Sequence, residues 1–187
     1  GNGFHGQVYL NPHQLFRQPS LIWRVAQDLL DVIPYDLATS IEVVAGPVTG
    51  GALLAHTLAG LVDGRRSLTH PPCEFAPFNY DPDEGLTLRR FYARALEGKR
   101  VLIADDVRNT GKTFEHCAAL VTRAGGTVAG TVEIYDRLDA VVDLGVPNVA
   151  LLPKEILTAA LTDPHTFRDR SFTRLGIDGV AINVNLA

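Results

Sequence analysis

Several absences narrow the problem. Lysine is scarce, with only Lys99, Lys112 and Lys154 among 187 residues. Cysteine is scarcer still. Cys73 and Cys117 have neither metal-ligand spacing nor the density of a disulfide framework, which points to a reducing, cytoplasmic setting. No apolar run reaches the roughly 18 residues that argue for a membrane span. An excess of charge of one sign is lacking too. A net charge of −4 gives no global pull toward nucleic acid or anionic membrane, and no helix-turn-helix is apparent. The histidines, His5, His13, His56, His70, His116 and His165, show no metal spacing. His56 and His116 read as helix residues at packing or surface positions. The N-terminus has no basic region followed by an apolar run, so no secretory leader is expected, while Gly1 leaves open that native residues precede it.

What is present is ordinary for a globular protein. Hydrophobic residues make up 46% and charged residues 20%, and the length suits one α/β domain with a real core. "LIWRVAQDLLDVI" after Pro19-Ser20 reads as a capped amphipathic helix, with Ile22, Val25, Ala26, Leu29, Leu30 and Ile33 spaced by three and four. "IEVVAG" (41–46) reads as a buried strand, and "TGGALLAHTLAGLV" (49–62) as a helix entered through glycines. Residues 64–90, rich in proline, arginine and acids, read as a partial strand near 73–78 and then a long loop or hairpin. "RVLIAD" (100–105), "TVAGTVEIYD" (127–136) and "NVALL" (148–152) are further strands, and "KTFEHCAALVTRAGG" is a helix with glycines at its end. This alternation predicts an α/β fold with a central, mostly parallel sheet flanked by helices. The tail, 153–187, gives weak signals.

The chemistry concentrates in "VLIADDVRNTGKT", 101–113. Its Gly-Lys-Thr suggests an ATP-binding loop, but that loop needs a glycine five residues before Gly111, where Asp106 stands. A plain strand end with a helix cap is the bland alternative. A richer reading comes from the order of groups. Asn109, Thr110, Gly111, Lys112 and Thr113 turn into a helix N-terminus, where backbone N–H groups and hydroxyls hold a phosphate monoester. Asp105 and Asp106 come just before. Carboxylates are poor phosphate ligands but good acceptors for a pair of sugar hydroxyls. A phosphate beside a diol describes a ribose 5-phosphate.

This stretch resembles the phosphoribosyl pyrophosphate (PRPP) signature of type I phosphoribosyltransferases, with Asn109 where Thr or Ala is usual and Lys112 where Gly is common. "VVAGPVTGGALLAHTLA" (43–59) is similar to the family's diphosphate loop and following helix, although Gly-Pro and Gly-Gly also suit a simple tight turn. Three segments resemble the orotate branch: "GFHGQVYLNPHQLF" (3–16), "GLTLRRFYARALEGKRVLIADD" (85–106) and "YDRLDAVVDLGVPNVALL" (135–152). The first carries Tyr9 but lacks that branch's serines.

The resemblance implies one phosphoribosyltransferase-like domain over 1–187, with an N-terminal hood (1–40), a core (41–155), a flexible loop or hairpin, and a C-terminal segment (156–187) of unassigned role. It implies transfer of ribose 5-phosphate from PRPP to a base, most simply orotate in pyrimidine synthesis, by a cytoplasmic homodimer. The alternatives are another base, such as a purine, or a PRPP sensor without catalysis. PRPP would bind to Asp105, Asp106, Val107, Arg108, Asn109, Thr110, Gly111, Lys112 and Thr113. Its diphosphate would lie on Gly46, Pro47, Val48, Thr49, Gly50 and Gly51. Asn109, Arg137 and Tyr9 would face the base. Asp105, Asp106, Arg89 and Arg90 would carry catalysis, with Mg²⁺ arriving on the diphosphate. Orotate enzymes carry lysine and arginine on a mobile loop that reaches a neighbouring subunit. Here 64–98 holds no lysine, Phe78 and acids stand where basic residues are expected, and Arg89, Arg90 and Arg94 supply the cations.

Overall fold

A computed structural model describes residues 8–9, 12–137, 142–152 and 183–184. Its core is a six-stranded sheet of β2 (Val43–Pro47), β3 (Glu74–Asp81), β4 (Gly85–Thr87), β5 (Arg100–Arg108), β6 (Thr127–Asp136) and β7 (Asn148–Leu152). The strands lie in the order β4-β3-β2-β5-β6-β7. All neighbours are parallel except β3 and β4, which form an antiparallel hairpin. A two-stranded ribbon pairs β1 (Val8–Tyr9) with β8 (Asn183–Val184).

Both faces of the central strands are covered, which is why β2, β5 and β6 read as largely apolar runs. Val44, Leu102 and Ala104 pack under α2 (Pro19–Val32), α3 (Tyr35–Ser40) and α4 (Gly50–Gly64). A short helix, α1 (His13–Phe16), leads into α2. Val43, Ala45, Val101 and Ile103 pack on the other face with Leu96 of α5 (Arg90–Leu96) and with Phe114, Cys117 and Val121 of α6 (Lys112–Arg123). Cys73 and Cys117 are free, buried thiols, and no described helix is long and apolar enough to cross a membrane.

The strands expected at 127–136 and 148–152 occur with those bounds, and the other elements differ in detail. Helix α2 starts one residue before Ser20. Pro19 takes the first helical position, where its missing N–H is no loss, and Gln18 precedes it without a side-chain cap. Strand β5 does not stop at the acids. It continues through Asp106, Val107 and Arg108, because Val107 and Arg108 pair with Tyr135 and Asp136 of β6. The segment 64–90 does contain a hairpin, and Asp81 Oδ1 closes it by accepting N–H bonds from Asp83 and Glu84 at 2.9 and 3.0 Å. Phe78 is a correction: it is fully buried in the core rather than standing in a loop as a substitute for a basic residue. Helix α5 was not anticipated at all. His56 and His116 do lie on helices, exposed on α4 and α6, with His56 edge-on to Phe75.

Candidate active site

The site follows from the strand order. β2 leads through α4 to β3 on one side, while β5 leads through α6 to β6 on the other. The chain therefore diverges between the carboxyl ends of β2 and β5, the switch point at which open α/β sheets leave a crevice. The two expected motifs follow these two strands.

Asp105 is nearly buried, at 8% exposure, and the Asp106 side chain is 16% exposed. Asp105 Oδ1 accepts the backbone N–H of Asp106 at 2.9 Å, and His13 Nε2 stands 3.9 Å from Asp106 Oδ2. Burial, followed by the adjacent Asp106 charge, pushes the Asp105 carboxyl well above the usual carboxylate range. Two anions held together this way are a poor resting arrangement. They favour a ligand that donates hydroxyls and gains positive charge.

The glycine loop lies directly against these carboxylates. A Cβ on Gly50 would stand 2.3 Å from Asp106 Oδ2, and one on Gly51 would stand 2.9 Å from Asp105 Oδ1. A Cβ on Gly46 would stand 2.3 Å from the Gly51 carbonyl oxygen and 2.6 Å from that of Ala104. Pro47 closes β2, Val48 N–H donates to the Phe78 carbonyl at 2.9 Å, and the Val48–Thr49 peptide is cis. The loop is thus hemmed in by backbone at Gly46, by backbone and side chains at Gly51, and by the Asp106 and Phe16 side chains at Gly50.

On the other side of the acids, Asn109 and Thr110 are exposed, and Gly111 enters α6 in the left-handed region (φ +78°). That left-handed conformation favours glycine. Lys112 N–H donates to Thr110 Oγ1 at 3.4 Å, and the side chains of Lys112 and Thr113 are exposed. Arg108 reaches sideways: its Nη2 donates to the Val142 carbonyl at 2.9 Å and ties the segment after β6 to this loop. Arg137 lies at the same sheet edge, where its N–H donates to the Arg108 carbonyl at 2.9 Å.

The structure therefore gathers 46–51, 105–113 and Arg137 at one edge. Arg89 and Arg90 stand exposed at the start of α5, and neither side chain makes a hydrogen bond or ion pair among the described residues. Tyr9 lies in β1, and its side chain is outside the described residues. Among the described residues, no group of three or more His, Cys, Asp or Glu is placed to hold a metal ion.

Two polar residues near the site escaped sequence reading. Glu133, the register partner of Asp105 in β5, is fully buried on β6, and Asn148 bonds to it from β7. The signal was there, as a lone acid inside the apolar run "TVEIY".

No family model matches the chain. Relatives named orotate phosphoribosyltransferase align over most of it. The one from Erythrobacter litoralis is 32% identical over 151 residues, covering 81% of this chain and 72% of the relative. The one from Pelotomaculum thermopropionicum is 36% identical over 162 residues, covering 87% and 78%. Among solved structures, the orotate phosphoribosyltransferase of Aeropyrum pernix matches with a TM-score of 0.65 at 22% identity, covering 87% of this chain and 88% of its own, a likeness of fold. Sequence identity of this extent, on an α/β sheet of the same fold, means that the chain belongs to the orotate phosphoribosyltransferase family.

Proposed function

We propose that the protein transfers ribose 5-phosphate from PRPP to orotate, giving orotidine 5′-monophosphate and diphosphate. The observation that carries this reading is the apposition of the 46–51 glycine loop to the Asp105–Asp106 pair at the β2/β5 switch point. A diphosphate on the loop and a ribose diol on the carboxylates would share the C1 atom between them.

The chemistry asks little covalent work of side chains. C1 loses diphosphate while a ring nitrogen attacks, and positive charge develops on the sugar. Asp105 and Asp106 accept the hydroxyls and stabilise that charge, and the amides of 109–113 hold the 5′-phosphate. Arg137 would meet the base carboxylate with its planar fork. Arg89 and Arg90 would steer toward the leaving group. Mg²⁺ neutralises diphosphate when it arrives bound to it. The glycine cradle, which a Cβ would fill, fits an ion delivered with the substrate rather than one caged by protein.

Lysine-free 64–98 favours one second reading, a PRPP binder without turnover. Diphosphate release separates the two, measured with PRPP, Mg²⁺ and orotate beside adenine, guanine, hypoxanthine, xanthine and uracil. Turnover with orotate alone is expected. Turnover confined to another base moves the specificity, saturable PRPP binding without turnover favours the sensor, and no PRPP binding sinks both. A cytoplasmic homodimer belongs to the same proposal, and sedimentation equilibrium should return the mass of two chains. A monomer at working concentration would count against it.

A further inference from the structure

Glu133 is fully buried yet carries a carboxyl group. Its Oε1 accepts an N–H from Asn148 Nδ2 at 2.8 Å, and Asn148 Oδ1 is 2.5 Å from Thr131 Oγ1. The direction of this relay is fixed. An amide oxygen can only accept, so Thr131 donates its hydroxyl, and the amide nitrogen is left to donate to Glu133. Glu133 Oε2 has no hydrogen-bond partner among the described residues.

The surroundings favour a neutral group. On β5, the register partner of Glu133 is Asp105, about 4.8 Å away across neighbouring parallel strands and on the same face of the sheet. Arg108, further along β5, is the one nearby cation that acts on Glu133, and its Nη2 is already engaged by the Val142 carbonyl. On β6 itself the nearby charge is Asp136, and on β7 the contact is Asn148. From α6, the Cys117 thiol lies near Asp105, pushed up by burial and by that charge. Burial dominates for Glu133. It outweighs the Asn148 bond and Arg108, and raises the carboxyl to about 8. An ionised Glu133 would be a buried anion with one bare oxygen and a second carboxylate one strand away.

We infer that Glu133 is a proton-bearing positioning residue for the sugar-phosphate site, standing one strand behind Asp105 and setting how much negative charge that site carries. The inference rests on PRPP being the ligand. With Glu133 neutral, the site presents only the Asp105–Asp106 pair to an anionic substrate. As pH rises and Glu133 loses its proton, a further negative charge is added one strand behind the acid pair and PRPP binds less well. By linkage, PRPP binding then raises the proton affinity of Glu133, and the protein takes up protons when it binds near pH 8.

Calorimetry of PRPP with Mg²⁺ at pH 8, in two buffers of different ionisation enthalpy, counts those protons. Wild-type protein should take up about 0.3–0.5 proton more than Glu133→Gln, as expected for a group half-titrated at that pH. Its affinity should also fall severalfold between pH 7 and 9 relative to the variant. At pH 7, glutamine matches the protonated acid in shape and charge, so kcat should change by less than about threefold, with the effect confined to KM for PRPP at alkaline pH. Equal proton uptake in the two proteins overturns the inference while leaving the proposed reaction intact, whereas absence of PRPP binding to wild type overturns both. If the variant does not fold, ¹³C NMR of glutamate-labelled wild type decides. A carboxyl carbon titrating near pH 8, and higher with PRPP, supports the inference, and no glutamate titrating above pH 6 overturns it.

Discussion

Replacing Asp105 and Asp106 together by asparagine is expected to lower kcat/KM for PRPP at least about a thousandfold without loosening the fold. The size follows from Coulomb's law. A carboxylate about 4 Å from a developing positive charge is worth roughly 4 kcal/mol at the effective dielectric of a partly wet site, and each 1.36 kcal/mol is about tenfold in rate. Asparagine keeps an acceptor oxygen for the ribose hydroxyls but loses that charge. Stability should move the other way. The Asp105 carboxyl is held above its ordinary range by burial and by Asp106, so the folded state binds its proton more tightly than the unfolded chain does. Folding is therefore opposed by ionisation. The handicap sets in as pH rises past the unfolded value, near 4, and grows until pH passes the raised folded value. Removing both acids should leave the urea midpoint at pH 7 unchanged or raise it. Turnover near the wild-type level would refute the assignment of the acids, and activity lost together with the near-UV circular dichroism would show only that the variant is unfolded.

The second large effect is expected at Gly46. An alanine there drives its methyl to 2.3 Å from the Gly51 carbonyl oxygen and 2.6 Å from that of Ala104. Both obstacles are backbone. One belongs to α4 and the other to β5, and each element is anchored in the core, so neither yields alone. Overpacking of this kind costs roughly 1–3 kcal/mol and sometimes more. Any relaxation would also spread the loop meant to hold diphosphate, so turnover should fall even in the fraction that folds. Gly60, in the same helix α4, has nothing within 4 Å of the place a Cβ would take. Gly60→Ala should therefore raise stability by about 0.5–1 kcal/mol through helix propensity alone. Urea unfolding of both variants checks the contrast. A Gly46→Ala protein as stable as Gly60→Ala would mean that the loop is looser than its geometry.

Much of this architecture was legible before the fold was known. Strands β6 and β7 announced themselves as apolar runs bounded by turn residues; in β6 this follows from burial on both faces, while β7 is a half-buried edge strand. The acid pair and the glycine loop after it could be singled out because their order along the chain suits the order of groups on one ligand, the role proposed for them. The end of β5 was not. Val107-Arg108 reads as loop by polarity, and only the register against Tyr135 and Asp136 keeps it in the sheet. Helix α5 was hidden by its brevity and by arginines that signal no face. The β1–β8 ribbon joins segments from opposite ends of the chain, a pairing that no local pattern encodes. Glu133 was visible as an oddity, but its meaning depended on which residue the neighbouring strand would set beside it.

The tight packing of the glycine loop also bears on how such a protein can diversify. At positions 46, 50 and 51 a Cβ would meet backbone, Pro47, Phe16 or the Asp105 and Asp106 carboxyls at 2.3–2.9 Å, so mutation has little room there. Asn109 and Arg137, at the other end of the site, are exposed and carry no core packing. If they face the base as proposed, a lineage built on this scaffold can explore new bases at those two positions one substitution at a time, while the glycine cradle stays locked. Inherited variation should accumulate along the rim and leave the cradle untouched.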